Sequence, residues 1–349
     1  MAGMSLRKLI WGLLTLGLLG GQAFGFPLSV QAAQTPTANF VVTPLFPKNQ
    51  LSTKDGYFNL KVTPGSTQTL KLSVNNPGTT RRELQIIPVN ATTADSGTIV
   101  YIPSNRTDPS AKTTFTKMTS PAVTVDLAPH QGKTVSFVTK IPKNGFTGEI
   151  LGGLFVTNPK TSKASTKRTA QNFQLANRYA VTTAVALWCQ PNQAVPAKVQ
   201  LASTKVITND ASTAPVVVAK LRNLAPIAFG ELKIKTQVFE KATGHEIVSQ
   251  TLKNRSMAPN SWFNSEIGLG DKPLAPGKYT LKMQLASGDR HWRFTQDFTL
   301  SKVRAQEHNT RTKSVKGAAT AWYWFALAGG LVLVIARLAY WLGRRHKDH

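Results

Sequence analysis

Apolar and polar residues alternate along much of the chain between residues 38 and 301. Successive side chains of a β-strand point to opposite faces, so this alternation predicts strands with one face in a core and the other in water. Turn-forming residues separate the runs, as at Pro64-Gly65 and Asn76-Pro77-Gly78. The clearest alternating runs are 69–75, 123–127, 232–238 and 279–285. Short strands at such spacing predict an all-β protein made of antiparallel β-sandwiches.

The length of 349 residues and a polar stretch near the middle predict two sandwiches in tandem. We expect an N-terminal Ig-like β-sandwich over 38–158 and a C-terminal one over 168–301. A Lys-, Thr- and Ser-rich linker or long hairpin loop separates them. Residues 175–190 continue as a strand that fits either sandwich. The polar and basic stretch 302–317 is interpreted as a stalk.

The N-terminus has the three-part layout of a secretory signal peptide. Arg7 and Lys8 precede an apolar run over 9–19, and small residues allow cleavage after Ala32. We therefore expect residues 1–32 to be a signal peptide. The alternative is an uncleaved N-terminal anchor, although the apolar run is short for a bilayer.

Residues 318–342 are predicted to form one transmembrane helix. The uncharged run 318–336 is about 28 Å long as a helix at about 1.5 Å per residue. Aromatic residues at 322–324 and 340–341 are typical of the two membrane interfaces. Arg344, Arg345 and Lys347 then place the tail, 343–349, in the cytoplasm. This predicts a single-pass protein with its ectodomain outside the cell.

The charge is strongly unbalanced, with 42 Lys and Arg against 16 Asp and Glu, a net +26. On an exported ectodomain this charge favours extracellular polyanions such as teichoic acids, and it speaks against nucleic acid as a partner. The single cysteine, Cys189, excludes an intramolecular disulfide and a Cys-based metal site. Exported but Cys-poor proteins fit a Gram-positive bacterium better than an animal cell surface.

No set of residues predicts catalysis. His245-Glu246 lacks the second histidine of a zinc-protease helix, and neither a G-x-S-x-G elbow nor a phosphate-binding loop occurs. Asp55, Asp95 and Asp108 are interpreted as solvated turn residues, and Cys189 as a buried inert thiol. We therefore expect no enzyme activity, no cofactor and no metal.

Several segments, taken in order, resemble the WxL-interacting proteins of Gram-positive bacteria. The matching segments are Phe40-Val41-Val42-Thr43-Pro44, Gly56-Tyr57-Phe58-Asn59-Leu60, Gly148-Glu149-Ile150-Leu151-Gly152-Gly153-Leu154, Asn177-Arg178-Tyr179-Ala180-Val181, Leu221-Arg222-Asn223, Ala258-Pro259-Asn260-Ser261 and Trp292-Arg293-Phe294. The resemblance implies a membrane-anchored surface protein with two sandwiches. It further implies that the N-terminal domain binds peptidoglycan. The C-terminal domain would bind host matrix proteins or surface proteins carrying the Trp-x-Leu motif.

Candidate binding residues follow from side-chain chemistry, since sugars are bound by aromatic faces together with amide and hydroxyl groups. In the first domain the glycan-binding candidates are Asn49, Gln50, Tyr57 and Asn59. Their alternative role is structural, because either Tyr57 or Phe58 must face inward. In the second domain, Trp188, Trp262 and Arg178 are the candidate partner-binding residues, since Trp and Arg dominate interface hot spots. Gly152-Gly153 is interpreted as a β-bulge, and Trp292 as a core residue.

The sequence as a whole favours a cell-surface adhesion or scaffold protein that holds the wall through one domain and a protein partner through the other. Two alternatives stay open. The sandwiches could target a wall-associated enzyme or sensor, or the chain could be a passive structural spacer.

Overall fold

The computed structural model describes residues 40–52, 54–159, 179–209, 213–312, 331–334 and 337. The predicted signal peptide, the cytoplasmic tail and the partner-binding candidate Arg178 lie outside these residues, as does most of the predicted transmembrane helix. Residues 331–334 and 337 of that segment are helical. Within the described ranges, no helix combines the length and the apolar character needed to cross a membrane.

Strands dominate the described chain, as the alternating pattern predicts. They are β1 Val41–Leu45, β2 Phe58–Lys61, β3 Thr67–Asn75, β4 Arg82–Asn90, β5 Thr92–Thr93, β6 Ile99–Val100, β7 Val123–Leu127, β8 Gly132–Lys140, β9 Glu149–Thr157, β10 Ala180–Trp188, β11 Val199–Ile207, β12 Val216–Asn223, β13 Phe229–Glu240, β14 Glu246–Met257, β15 Ser261–Gly268, β16 Gly277–Ser287 and β17 Arg290–Leu300. A short helix, Phe115–Met118, and a helix at 302–312 accompany them.

The first sandwich packs a three-stranded sheet, β1-β3-β8, on a five-stranded sheet, β2-β10-β9-β4-β7. Strand β10 runs antiparallel to β9 and parallel to β2. Its Val185 and Leu187 are fully buried in the first core, so this strand closes the first sandwich. The second sandwich therefore begins later than the predicted residue 168. The start shifts because β10 lies between β2 and β9 and pairs with both, so it is part of the first sandwich.

The second sandwich packs β11-β12-β15 on β14-β13-β16-β17, with every pairing antiparallel. Its strands show the predicted alternation clearly in β16, where Tyr279, Leu281, Met283 and Leu285 are buried and the polar residues between them are exposed or half-buried. Trp292 packs on this second core, with its ring centroid 5.6 Å from that of Phe229. The two sandwiches thus have separate hydrophobic cores.

Gly152 and Gly153 lie in β9 in continuous register with both neighbouring strands, so the predicted bulge is wrong. A Cβ on Gly152 would stand 2.4 Å from the ring of Phe115, and one on Gly153 would stand 2.9 Å from the methyl group of Thr182 and 3.3 Å from the ring of Tyr101. Gly152 therefore makes room for Phe115, and Gly153 makes room for Thr182 and Tyr101. A sequence pattern cannot distinguish this need from a bulge, since both require the absence of a side chain.

Part of the predicted stalk is folded onto the second sandwich. Residues 302–312 form a helix in which Ala305 and His308 are buried. Asn309 fixes the helix to the domain, because its side-chain amide both donates to and accepts from the backbone of Leu274, at 3.0 and 2.8 Å. Up to residue 312 the segment therefore belongs to the second domain.

Candidate binding sites

The four predicted glycan-binding residues lie together beside β2. Asn49 donates its side-chain amide to the backbone oxygen of Lys61, 2.7 Å away, and Gln50 donates to the backbone oxygen of Tyr57 at the same distance. Asn59 donates to the carboxylate of Asp55 at 2.8 Å. These side-chain amides therefore hold the loop that precedes β2, residues 49–52 and 54–57, against β2. The group left facing solvent is the ring of Tyr57, which is 36% exposed.

Trp188 belongs to this cluster rather than to the second domain, where the sequence placed it. It is the last residue of β10, and its indole N–H donates to the side-chain oxygen of Asn59 at 3.0 Å. Its register partners are Lys61 in β2 and Glu149 in β9. The structure therefore adds an aromatic residue to the predicted glycan cluster and removes one from the predicted partner surface.

A buried polar junction joins the two sandwiches. The hydroxyls of Thr93 and Ser261 are hydrogen-bonded at 2.6 Å, and the backbone N–H of Ala258 donates to Thr93 at 3.0 Å. The backbone N–H of Ile99 donates to the hydroxyl of Ser256 at 3.1 Å. The first-domain strands β5 and β6 thereby attach to β14 and β15 of the second domain.

An ion pair across this junction joins Asp108 of the first domain to Arg222 of β12. Two guanidinium nitrogens donate to the two carboxylate oxygens, at 2.6 and 2.8 Å, while the Asp108 side chain is only 1% exposed. Burial alone would raise the pKa of Asp108, but hydrogen bonds from Arg222 and Ser110 outweigh it and hold that pKa below its usual value. The paired charges therefore stay ionised inside the junction.

Trp262 lies at the same junction, as the second residue of β15 rather than in the predicted turn. The ammonium of Lys220 is 3.8 Å from the centre of its ring, and the guanidinium carbon of Arg106 from the first domain is 5.0 Å away. Arg106 is itself paired with Asp95, which accepts a 2.8 Å hydrogen bond from the backbone of Asn264. Cations of both domains therefore contact the indole that the sequence proposed as a partner anchor.

Glu149, the first residue of β9, is a buried carboxyl group at the junction. It is 8% exposed, and its backbone N–H donates to the oxygen of Pro226 at 2.8 Å. Burial raises the pKa of its side chain to about 7, although a hydrogen bond from the backbone of Ala228 opposes the shift. Burial and the nearby Glu149 also raise the pKa of Tyr101 to about 12.

Sequence reasoning missed the residues that build the junction. Asp95 and Asp108 were expected to be solvated, yet each accepts hydrogen bonds from across the junction. One signal was present, because two of the segments that carry the family resemblance, 221–223 and 258–261, supply second-domain residues of the junction. Asn260 illustrates it: its side-chain amide donates to the hydroxyl of Ser110 at 2.9 Å, and its backbone oxygen accepts from the backbone of Asp108 at 2.7 Å.

The fold and the junction define a class of protein: a tandem β-sandwich chain whose two domains are locked by buried hydrogen bonds and an ion pair. Two family models match it in order. The first is described as WxL Interacting Protein, peptidoglycan binding domain, over residues 40–158, and the second as WxL Interacting Protein, host binding domain, over residues 170–310. The chain belongs to the WxL-interacting protein family.

No curated protein matches the chain. Solved structures with a distant similarity include the Pseudomonas aeruginosa chaperone CupB2, at 12% identity over 69% of this chain and 97% of that one, with a TM-score of 0.25. The E. coli chaperone DraB is 13% identical over 75% and 96% of the two chains, also with a TM-score of 0.25. TM-scores this low bear neither on fold nor on function.

Proposed function

We propose that this protein is a non-catalytic cell-surface scaffold. Its first sandwich binds peptidoglycan, and its second binds a protein partner, which is a WxL surface protein or a host matrix protein. The observation that carries the proposal is the order of the two family models, peptidoglycan binding followed by host binding, on two sandwiches with separate cores. The apolar segment 318–342, predicted from the sequence as a transmembrane helix, anchors the chain in the cell membrane in this proposal, with both sandwiches outside.

The junction supports a scaffold role because it fixes the two binding domains relative to each other. A flexible linker would let the domains reorient, whereas the buried pair of Asp108 and Arg222 and the bonded hydroxyls of Thr93 and Ser261 resist this. A protein held by the second domain is then kept at a fixed position relative to the wall glycan held by the first, and no covalent chemistry is needed.

Co-sedimentation with purified wall sacculi tests the wall-binding half of the proposal. The full chain, purified in detergent, should pellet with sacculi and stay in solution without them. The same incubation with labelled peptidoglycan separates a scaffold from an enzyme, since a scaffold releases no soluble fragments. A chain that remains in the supernatant, or that liberates labelled fragments, would contradict the proposal.

A further inference from the structure

A cleft of about 880 Å³ opens between the two sandwiches, close to the junction. Pockets for small ligands commonly measure about 300–1,000 Å³ and often lie between domains. First-domain loops around residues 110–113 and 142–147 form one wall, Cys189 and Gln190 directly after β10 contribute to it, and second-domain loops form the opposite wall. The lining includes Lys112, Asn144, Phe146, Thr147, Gln190 and Asn260.

The lining has the chemistry that glycans need. Asn144, Thr147 and Gln190 are exposed and carry amide and hydroxyl groups, and the half-buried Phe146 lines the same cleft while it packs against the first core. Lys112 adds an exposed ammonium at the rim. Within the described residues, the side chains of Lys112, Asn144 and Gln190 make no hydrogen bond, unlike the engaged amides beside β2. A sugar could therefore use them without breaking an internal contact.

The walls of the cleft are held in place by the junction. Asn260 donates its side-chain amide to the hydroxyl of Ser110 at 2.9 Å and to the backbone oxygen of Leu224 at 3.1 Å. Gly148 approaches the facing domain so closely that a Cβ there would lie 2.1 Å from the backbone oxygen of Pro226. Because these contacts fix the separation of the walls, a ligand finds the cleft already formed, which lowers the cost of binding.

We propose that the interdomain cleft binds a segment of wall glycan, an N-acetylated amino-sugar strand that carries carboxylate groups. The amides and hydroxyls bind the acetamido and hydroxyl groups, Phe146 packs against a sugar face, and Lys112 pairs with a carboxylate. This inference rests on the proposed attachment to peptidoglycan and names its site. The second domain forms the opposite wall of this site, and Asn260 holds that wall in place.

The test measures binding of the full chain to glycan fragments released from purified peptidoglycan by a muramidase, using titration calorimetry. Lys112→Ala combined with Asn144→Ala should weaken binding by at least about tenfold, since one charged and one neutral hydrogen bond are lost. Thr147→Trp, which fills the cleft from an exposed position, should abolish binding. Lys71→Ala removes an equally exposed lysine from the outer face of β3 and should change affinity by less than about twofold.

An N-acetylglucosamine oligomer without carboxylates provides a second arm. It should bind more weakly than the muramidase fragments, and Lys112→Ala alone should not affect it. Melting temperatures of all variants should match that of the unaltered chain, because the changed residues are exposed.

The outcomes separate this inference from the function on which it rests. If the full chain sediments with sacculi but the double variant and Thr147→Trp bind fragments as tightly as the unaltered chain, the cleft is not the site, although wall attachment stands. If the unaltered chain does not sediment with sacculi, the proposed function fails, and the inference fails with it.

Discussion

Glu149→Gln should make the fold less sensitive to pH. In the folded protein the pKa of Glu149 is about 7, against an ordinary value of 4.5. The unfolded chain therefore releases this proton at lower pH than the folded chain does. The stabilisation from the protonated carboxyl is fully present below pH 4.5, and it is lost as the pH rises through about 7. A shift of this size corresponds to about 3 kcal/mol, at about 1.4 kcal/mol for each pH unit.

Urea unfolding at pH 5 and pH 8 measures the effect. Glutamine keeps the size of the side chain and its oxygen acceptor for the backbone of Ala228, but it cannot ionise. The unaltered chain should lose about 2 to 3 kcal/mol more than Glu149→Gln between the two pH values. Glu266→Gln, at an exposed position in β15, is the matched control and should follow the unaltered chain. Parallel losses in the unaltered chain and in Glu149→Gln would refute the reasoning.

Three further predictions concern the junction, the core and the surface charge. Arg222→Ala should lower the free energy of unfolding by about 3 kcal/mol, because it leaves the buried carboxylate of Asp108 without its partner. Adding Asp108→Asn should recover part of this loss. Urea titrations that show no such recovery would contradict the prediction. Gly152→Ala should cost about 1–3 kcal/mol in the same assay by crowding Phe115, whereas Gly268→Ala, which has open space around it, should cost less. Sedimentation with sacculi should weaken between low and high salt because of the +26 charge, and salt-independent binding would remove the electrostatic part of the account.

The sequence pattern predicted the strands because, in a strand, the alternation of apolar and polar residues determines which side chains are buried. Strand β16 shows it: Tyr279, Leu281, Met283 and Leu285 alternate with polar residues in the sequence, and these four are the buried positions. The place of β10 could not be predicted in this way. Its parallel pairing with β2 joins residues more than a hundred positions apart, as Val185 and Phe58 do, and apolar alternation fits any sheet equally well.

The candidate sites were harder to predict than the fold because they depend on contacts between domains. Nothing near Asp108 in the sequence indicates that Arg222, 114 positions later, buries and pairs with it. The sequence identified Trp188 and Trp262 as candidates, but it could not predict which residues surround each ring. One turns out to bond Asn59 in the first sandwich, and the other contacts cations of the junction.

The most direct test of the scaffold is a bridging measurement with both kinds of partner present. The full chain is added to wall sacculi, followed by a fluorescent WxL-domain protein or a fluorescent host matrix protein, and the fluorescence in the pellet is recorded. We expect one of these proteins to sediment with the sacculi only when the chain is present. If both stay in solution while the chain itself is pelleted, or if adding either one releases the chain from the wall, the chain does not join wall to partner.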